Sequence, residues 1–127
     1  MKRVTLFLAM LMMISCGKKT SETDLYRQAE EMYQSQKFEE AVFVFDQMLA
    51  DYPEGTLAPK AAFMMGYIYA NELSQMDFAK EFYQLFLEKY GSIADSNLVN
   101  SALWELENLG RNVDDLDILI APDQDSE

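Results

Sequence analysis

Residues 38–55 read "FEEAVFVFDQMLADYPEG", and residues 77–93 read "DFAKEFYQLFLEKYGSI". Laid over each other, Ala41 falls on Ala79, Phe45 on Tyr83, Leu49 on Leu87 and Tyr52 on Tyr90, each pair 38 residues apart. A fixed period is the mark of a repeat architecture, in which one supersecondary unit stacks on the next. The run "AVFVF" alone has the β-branched and aromatic content of a strand. However, Phe38, Ala41, Val42, Phe45, Met48, Leu49 and Tyr52 recur at i, i+3, i+4 and i+7 over fifteen residues. That length selects a helix, and Pro53 with Gly55 stops it.

Outward from this stretch, the same periodicity predicts four more helices. The segment "SETDLYRQAEEMYQS" spaces Leu25, Ala29, Met32 and Tyr33 helically, and Ser21 with Asp24 offers a capping box. A third helix is expected over about Leu57–Leu73, with Pro59 in its first turn, where proline is tolerated. A fourth runs over about Asp77–Tyr90, with Phe78, Ala79, Phe82, Leu85, Phe86 and Tyr90 apolar. A fifth covers about Asp95–Leu109 on Leu98, Val99, Ala102, Leu103, Leu106 and Leu109, closing at Gly110. The expected fold is all-α: two helix pairs and a C-terminal capping helix over residues 23–110. Residues 111–127 hold six acids and no base after Arg111. They read as an acidic disordered tail, within which "LDILIAP" could pack back as a short piece.

The spacing also carries a resemblance. Counted from Glu22, Leu25, Ala29, Met32, Ala41, Phe45 and Pro53 occupy signature positions of a tetratricopeptide (TPR) unit. A second unit matches through Phe63, Gly66 and Tyr69, then Ala79 and Tyr83 after a one-residue insertion, with Gly91 where the terminal proline usually stands. The chain resembles a short TPR-like α-solenoid over residues 22–110. Its "YP", glycine turn and "KAAFMMGYIY" are similar to periplasmic TPR lipoproteins, namely the β-barrel assembly lipoprotein family and the TPR domain of the Tol-Pal coordinator. In that architecture small residues (Ala29, Gly66, Ala41, Ala79) let helices approach, and Phe45 and Tyr83 fill the space beside them. Each pair leaves an apolar face that the next pair covers.

The resemblance implies a concave groove lined by the first helix of each pair. Its candidates are Tyr26, Glu30 and Tyr33, then Lys60, Phe63, Tyr67 and Asn71, with Leu103 and Glu107 on the fifth helix. Tyrosines, with an apolar body and a polar tip, suit peptide recognition. The competing reading makes Phe63 and Tyr67 core. Trp104 lies off the Leu98–Ala102–Leu106 stripe, so it is either exposed for contact or packed as a cap on the fourth helix.

The N-terminus has a different build. "MKR" is basic, and "VTLFLAMLMMI" (Val4 to Ile14) is eleven residues with one weakly polar threonine. A transmembrane helix needs about 20 residues, whereas a basic start and a short apolar run describe a secretory signal peptide. The "MISC" that follows resembles a bacterial lipobox, with Met13 and Ile14 departing from the usual leucine and small residue. The resemblance implies cleavage after residue 15, a diacylated Cys16 and a flexible leader at 16–22. Two acyl chains suffice for stable anchoring. The mature chain then loses Lys2 and Arg3 and carries 22 acids against 8 bases. Gly17, in place of the aspartate that retains many such lipoproteins in the inner membrane, implies the outer membrane; the expected orientation is toward the periplasm, with exposure at the cell surface left open.

Composition excludes other classes. A net charge of −12 opposes binding to nucleic-acid phosphates. No histidine is present, and the single cysteine rules out an internal disulfide or a multi-cysteine zinc site. Adjacent acids such as Glu30 with Glu31 and Glu39 with Glu40 diverge by about 100° on a helix, so they form no acid–base pair. The terminal "DQDSE" lacks the central glycine and closing glutamate of a calcium loop. No catalytic residue, metal or cofactor is expected. The expected function is a non-enzymatic, membrane-anchored adaptor for a protein or peptide partner in the bacterial cell envelope. The alternative is a constitutive subunit of an outer-membrane assembly or envelope-maintenance complex, and the oligomeric state stays open.

Overall fold

The computed structural model describes Gly17 and residues 19–111. Cys16, the expected signal segment 1–15 and the tail with "LDILIAP" and "DQDSE" lie outside the described residues. The described chain is all-helical: α1 (Glu22–Gln34), α2 (Phe38–Asp51), α3 (Ala58–Asn71), α4 (Met76–Leu85) and α5 (Ser96–Asn108). A π-helical segment, Phe86–Tyr90, continues α4.

Local chemistry explains the ends. The Ser21 hydroxyl caps α1, accepting from the Asp24 N–H at 3.2 Å while donating to the Asp24 carboxylate at 2.8 Å. Only half of the expected capping box forms, because Asp24 takes the hydroxyl and not the Ser21 amide. At the other end of α1, Gln36 N–H reaches the Tyr33 carbonyl (3.0 Å) and Lys37 N–H the Met32 carbonyl (2.9 Å), with Gln36 left-handed at φ 59°. This is a Schellman ending built without glycine. The turn after α3 repeats the device at Ser74 (φ 53°), 38 residues on, but wider: Leu73 N–H bonds Ile68 and Gln75 N–H bonds Tyr69. The one-residue insertion is absorbed there. At the end of α5, Gly110 (φ 77°) takes the left-handed position expected of it.

Short loops fold α1 against α2 and α3 against α4, α3 packs on α2, and α5 closes on α4 and the π segment. One core cluster gathers Leu25, Ala29, Ala41, Phe45 and Met48 and runs on into Ala61, Met65 and Ile68. A second gathers Ala58, Ala62, Ala79, Tyr83, Phe86, Tyr90 and Ala102. Helix α3 therefore feeds both clusters. The 38-residue period recurs in the packing, since Ala41 and Ala79, Phe45 and Tyr83, and Met48 and Phe86 are all wholly buried. Burying each of the larger side chains contributes roughly 1.5–3 kcal/mol. A further pair at the same offset, Tyr52 and Tyr90, repeats a hydrogen bond: Tyr52 donates its hydroxyl to the Thr20 carbonyl, and Tyr90 to the Pro53 carbonyl, both at 2.8 Å. Each ties the end of a second helix to the segment entering the first helix of its pair.

The pairs are also clasped to each other. The Glu22 carboxylate accepts from the Leu57 N–H at 2.7 Å, at the start of α3, where the helix dipole favours negative charge. It lies against Gly55, at a point where any side chain on residue 55 would collide with it.

Three expectations need correction. Phe78 and Leu85 on α4 are exposed, not core. The buried line of α4 is Ala79–Tyr83–Phe86–Tyr90, which faces α3 and α5 and leaves the flanking residues uncovered. As the last helix, α5 is covered on one side, and only Ala102 is fully buried. Regular α-helix stops at Leu85, five residues before its expected end. The looser π turn keeps both Phe86 and Tyr90 inside and brings the Tyr90 hydroxyl to Pro53. Gly91 then donates its N–H to the Leu87 carbonyl (3.1 Å), and that same carbonyl occupies the space a Cβ would need. A proline there would lose the donor and meet the oxygen, which accounts for the glycine.

Candidate functional site

Residues three and four apart on a helix share a face, so Tyr26, Glu30 and Tyr33 line one side of α1, and Lys60, Tyr67 and Asn71 one side of α3. These two lines meet. The Lys60 ammonium lies 4.0 Å from the Glu30 carboxylate and 5.0 Å from the centre of the Tyr26 ring. Further along, Tyr33 donates to the Glu72 carboxylate at 3.3 Å and leans on Phe38, ring centres 5.7 Å apart. Burial, then the neighbouring Tyr67 and Glu72, raises the Tyr33 hydroxyl pKa. Asn71 is exposed and donates its amide to the Tyr67 carbonyl at 3.1 Å. The result is a polar–aromatic strip along the α1–α3 seam.

Not every expected residue presents itself there. Phe63 turns into the second core cluster, edge-on to Tyr83 (5.6 Å) and Phe86 (5.8 Å). Tyr26 is only 6% exposed, with its ring edge-on to Phe45 at 5.5 Å, so it forms the floor of the strip. On α5, Leu103 and Glu107 are exposed, and Trp104 is 55% exposed, which resolves its two readings toward solvent. Also on α5, Glu105 is a charged neighbour of the Tyr83 hydroxyl, as Tyr67 of the strip is a polar one. Glu105 follows buried Ala102 by three residues, and that spacing could have singled it out. Glu72 lacked such a signal, since its partner is 39 residues away.

Two tyrosine hydroxyls lie inside the fold. The Tyr26 and Tyr83 hydroxyls are buried, and neither has a hydrogen-bond partner among the described residues. Burial first, then nearby carboxylates (Glu30 for Tyr26, Glu105 for Tyr83), pushes both pKa values well above the ordinary tyrosine range. Both therefore stay neutral at physiological pH. Burial also raises the Glu105 pKa. Among the described residues no three His, Cys, Asp or Glu side chains converge as metal ligands, and no helix is long and apolar enough to cross a membrane. No protein-family model, curated protein or solved structure matches the chain.

Proposed function

We propose that the protein is a lipid-anchored, two-unit TPR-like adaptor of the bacterial cell envelope, tethered through Cys16 to the outer membrane and facing the periplasm. It holds an extended protein segment along the α1–α3 strip and performs no chemistry. The observation that carries the reading is the recurrence, 38 residues apart, of the same buried positions in two successive helix hairpins. Gly66 against Tyr83 adds to it, because a Cβ at 66 would stand 2.8 Å from the ring, the small-against-large contact such repeats need. The partner's backbone would find Asn71, Glu72 and Lys60 as polar contacts and Tyr33 and Tyr67 as flat apolar ones.

A second reading, a constitutive subunit of an outer-membrane assembly or envelope-maintenance complex, draws support from the exposed Leu103 and Trp104 on the last helix. A stable folded monomer in sedimentation and thermal melts would count against it.

Two measurements test the adaptor. Radiolabelled palmitate should enter the wild type and not Cys16→Ser; an unlabelled wild type removes the anchor. A photocrosslinking residue at Tyr33 or Asn71 should give a discrete adduct in cells, whereas one at Gln28, on the far side of α1, should not. Equal yields from both sides would sink the groove assignment.

A further inference from the structure

The opposite side of the two hairpins carries a second, unrelated surface. Phe43 stands 69% exposed on α2 and Phe78 49% exposed on α4. Single exposed rings are ordinary, but these two border one open groove of about 370 Å³ between α2, α3 and α4. Its floor holds a stack of aromatic rings: Tyr69 lies 5.2 Å from Phe78 and 5.5 Å from Phe82, at interplanar angles of 26° and 13°. Its rim is Glu39, Asp46 and Glu81, and no lysine or arginine lines it. Among the described residues none of these three carboxylates is ion-paired. Asp46 and Glu81 stand close enough to Tyr69 to add to the effect of burial in raising its hydroxyl pKa.

The charge selects the occupant. A second copy would bring another chain of net charge −12 against an acidic rim, and the six acids that follow Arg111 argue equally against this chain's own tail. A segment combining an apolar side chain with flanking cations complements both features. The apolar group fits between Phe43 and Phe78, and lysine or arginine meets the carboxylates and the ring faces.

We propose that this groove docks a cationic segment of a partner protein, an aromatic or aliphatic side chain flanked by Lys or Arg, independently of the tyrosine strip and of Cys16. The test is fluorescence anisotropy on the full-length protein in a nonionic detergent, blanked with empty micelles. Its probes are a short labelled peptide of Lys flanking Leu and Phe, the same peptide with Glu for Lys, and a Lys–Ser peptide. The Lys–Phe peptide should bind and weaken as salt is raised, while the other two bind at least roughly tenfold more weakly. Phe43→Ser, at an exposed position, should weaken binding by roughly tenfold or more, and Tyr33→Ala should leave it unchanged. If Phe43→Ser loses helicity, Glu39→Gln with Glu81→Gln carries the same expectation of weaker, less salt-sensitive binding. No binding of the Lys–Phe peptide, equal binding of the Glu peptide, or binding indifferent to the groove variants would each overturn the proposal.

Discussion

The first hairpin, α1 with α2, and the second, α3 with α4 and its π turn, share one buried pattern but not one environment. Helix α1 is covered by α2 and one edge of α3, and it keeps Leu25 and Tyr26 as large inward residues. Helix α3 lies between both clusters: it gives Met65 and Ile68 to the first, while its positions toward the second are trimmed to Ala58, Ala62 and Gly66. Where the first pair seats Phe45, the second seats Tyr83, whose hydroxyl has no hydrogen-bond partner among the described residues. Where the first ends in Pro53, the second widens into a π turn closed by Gly91. The repeat therefore fixes the seam inside each hairpin. Position in the stack decides how much side chain each helix can carry around that seam, and how its ends must close.

Deleting the paired rings should have the largest effect. Phe45→Ala and Tyr83→Ala should each cost about 3–5 kcal/mol in urea unfolding followed by circular dichroism. A much milder loss at one of them would break the equivalence of the hairpins. Next comes the contact that differs between them. Gly66→Ala should destabilise by about 1–3 kcal/mol through overpacking on Tyr83, despite alanine's better helix propensity. Stabilisation instead would mean that the second seam is looser than the distances imply.

The tyrosine hydroxyls sharpen the comparison further. Tyr90→Phe should cost about 1 kcal/mol, because it orphans the Pro53 carbonyl. Tyr83→Phe removes an unpartnered group and should be neutral or stabilising. It should also change the alkaline limb of the stability profile. With the folded pKa raised, the unfolded chain ionises first, so stability falls as pH rises above about 10, and Tyr83→Phe should flatten that fall. The smallest effect is expected at Glu105, whose raised pKa makes its contribution greatest at low pH and lost as pH climbs through the folded value. Glu105→Gln should slightly raise the melting temperature at neutral pH and leave it unchanged near pH 4.

Periodicity made five helices legible, and of the four pairs given by the 38-residue offset Ala41 with Ala79 and Phe45 with Tyr83 are buried alike, while Leu49, Leu87 and Tyr52 are only partly covered. It misplaced Phe78 and Leu85 because an apolar stripe reports what a helix can bury, while the neighbours present decide what it does bury. The π turn escaped because 3.6-residue counting has no term for an extra residue per turn. In the strip, the spacing of Tyr26, Glu30 and Tyr33 against Lys60 and Tyr67 was readable, since helical faces follow from sequence. The Glu22 clasp on Leu57 and the Tyr33–Glu72 bond were not, because each joins residues more than thirty positions apart. The acid-rimmed groove needed three helices brought side by side before Phe43 and Phe78 could be seen to share it.

Trp104 is the only tryptophan in the chain, and it stands on the outer side of the last helix. Its indole is already largely hydrated in the folded protein, so its emission should change little as the hairpins melt, and unfolding is better followed through the seven tyrosines. That silence gives a clean channel. A blue shift on adding another molecule would report contact at the α5 end of the stack, separately from the tyrosine strip and the acid-rimmed groove.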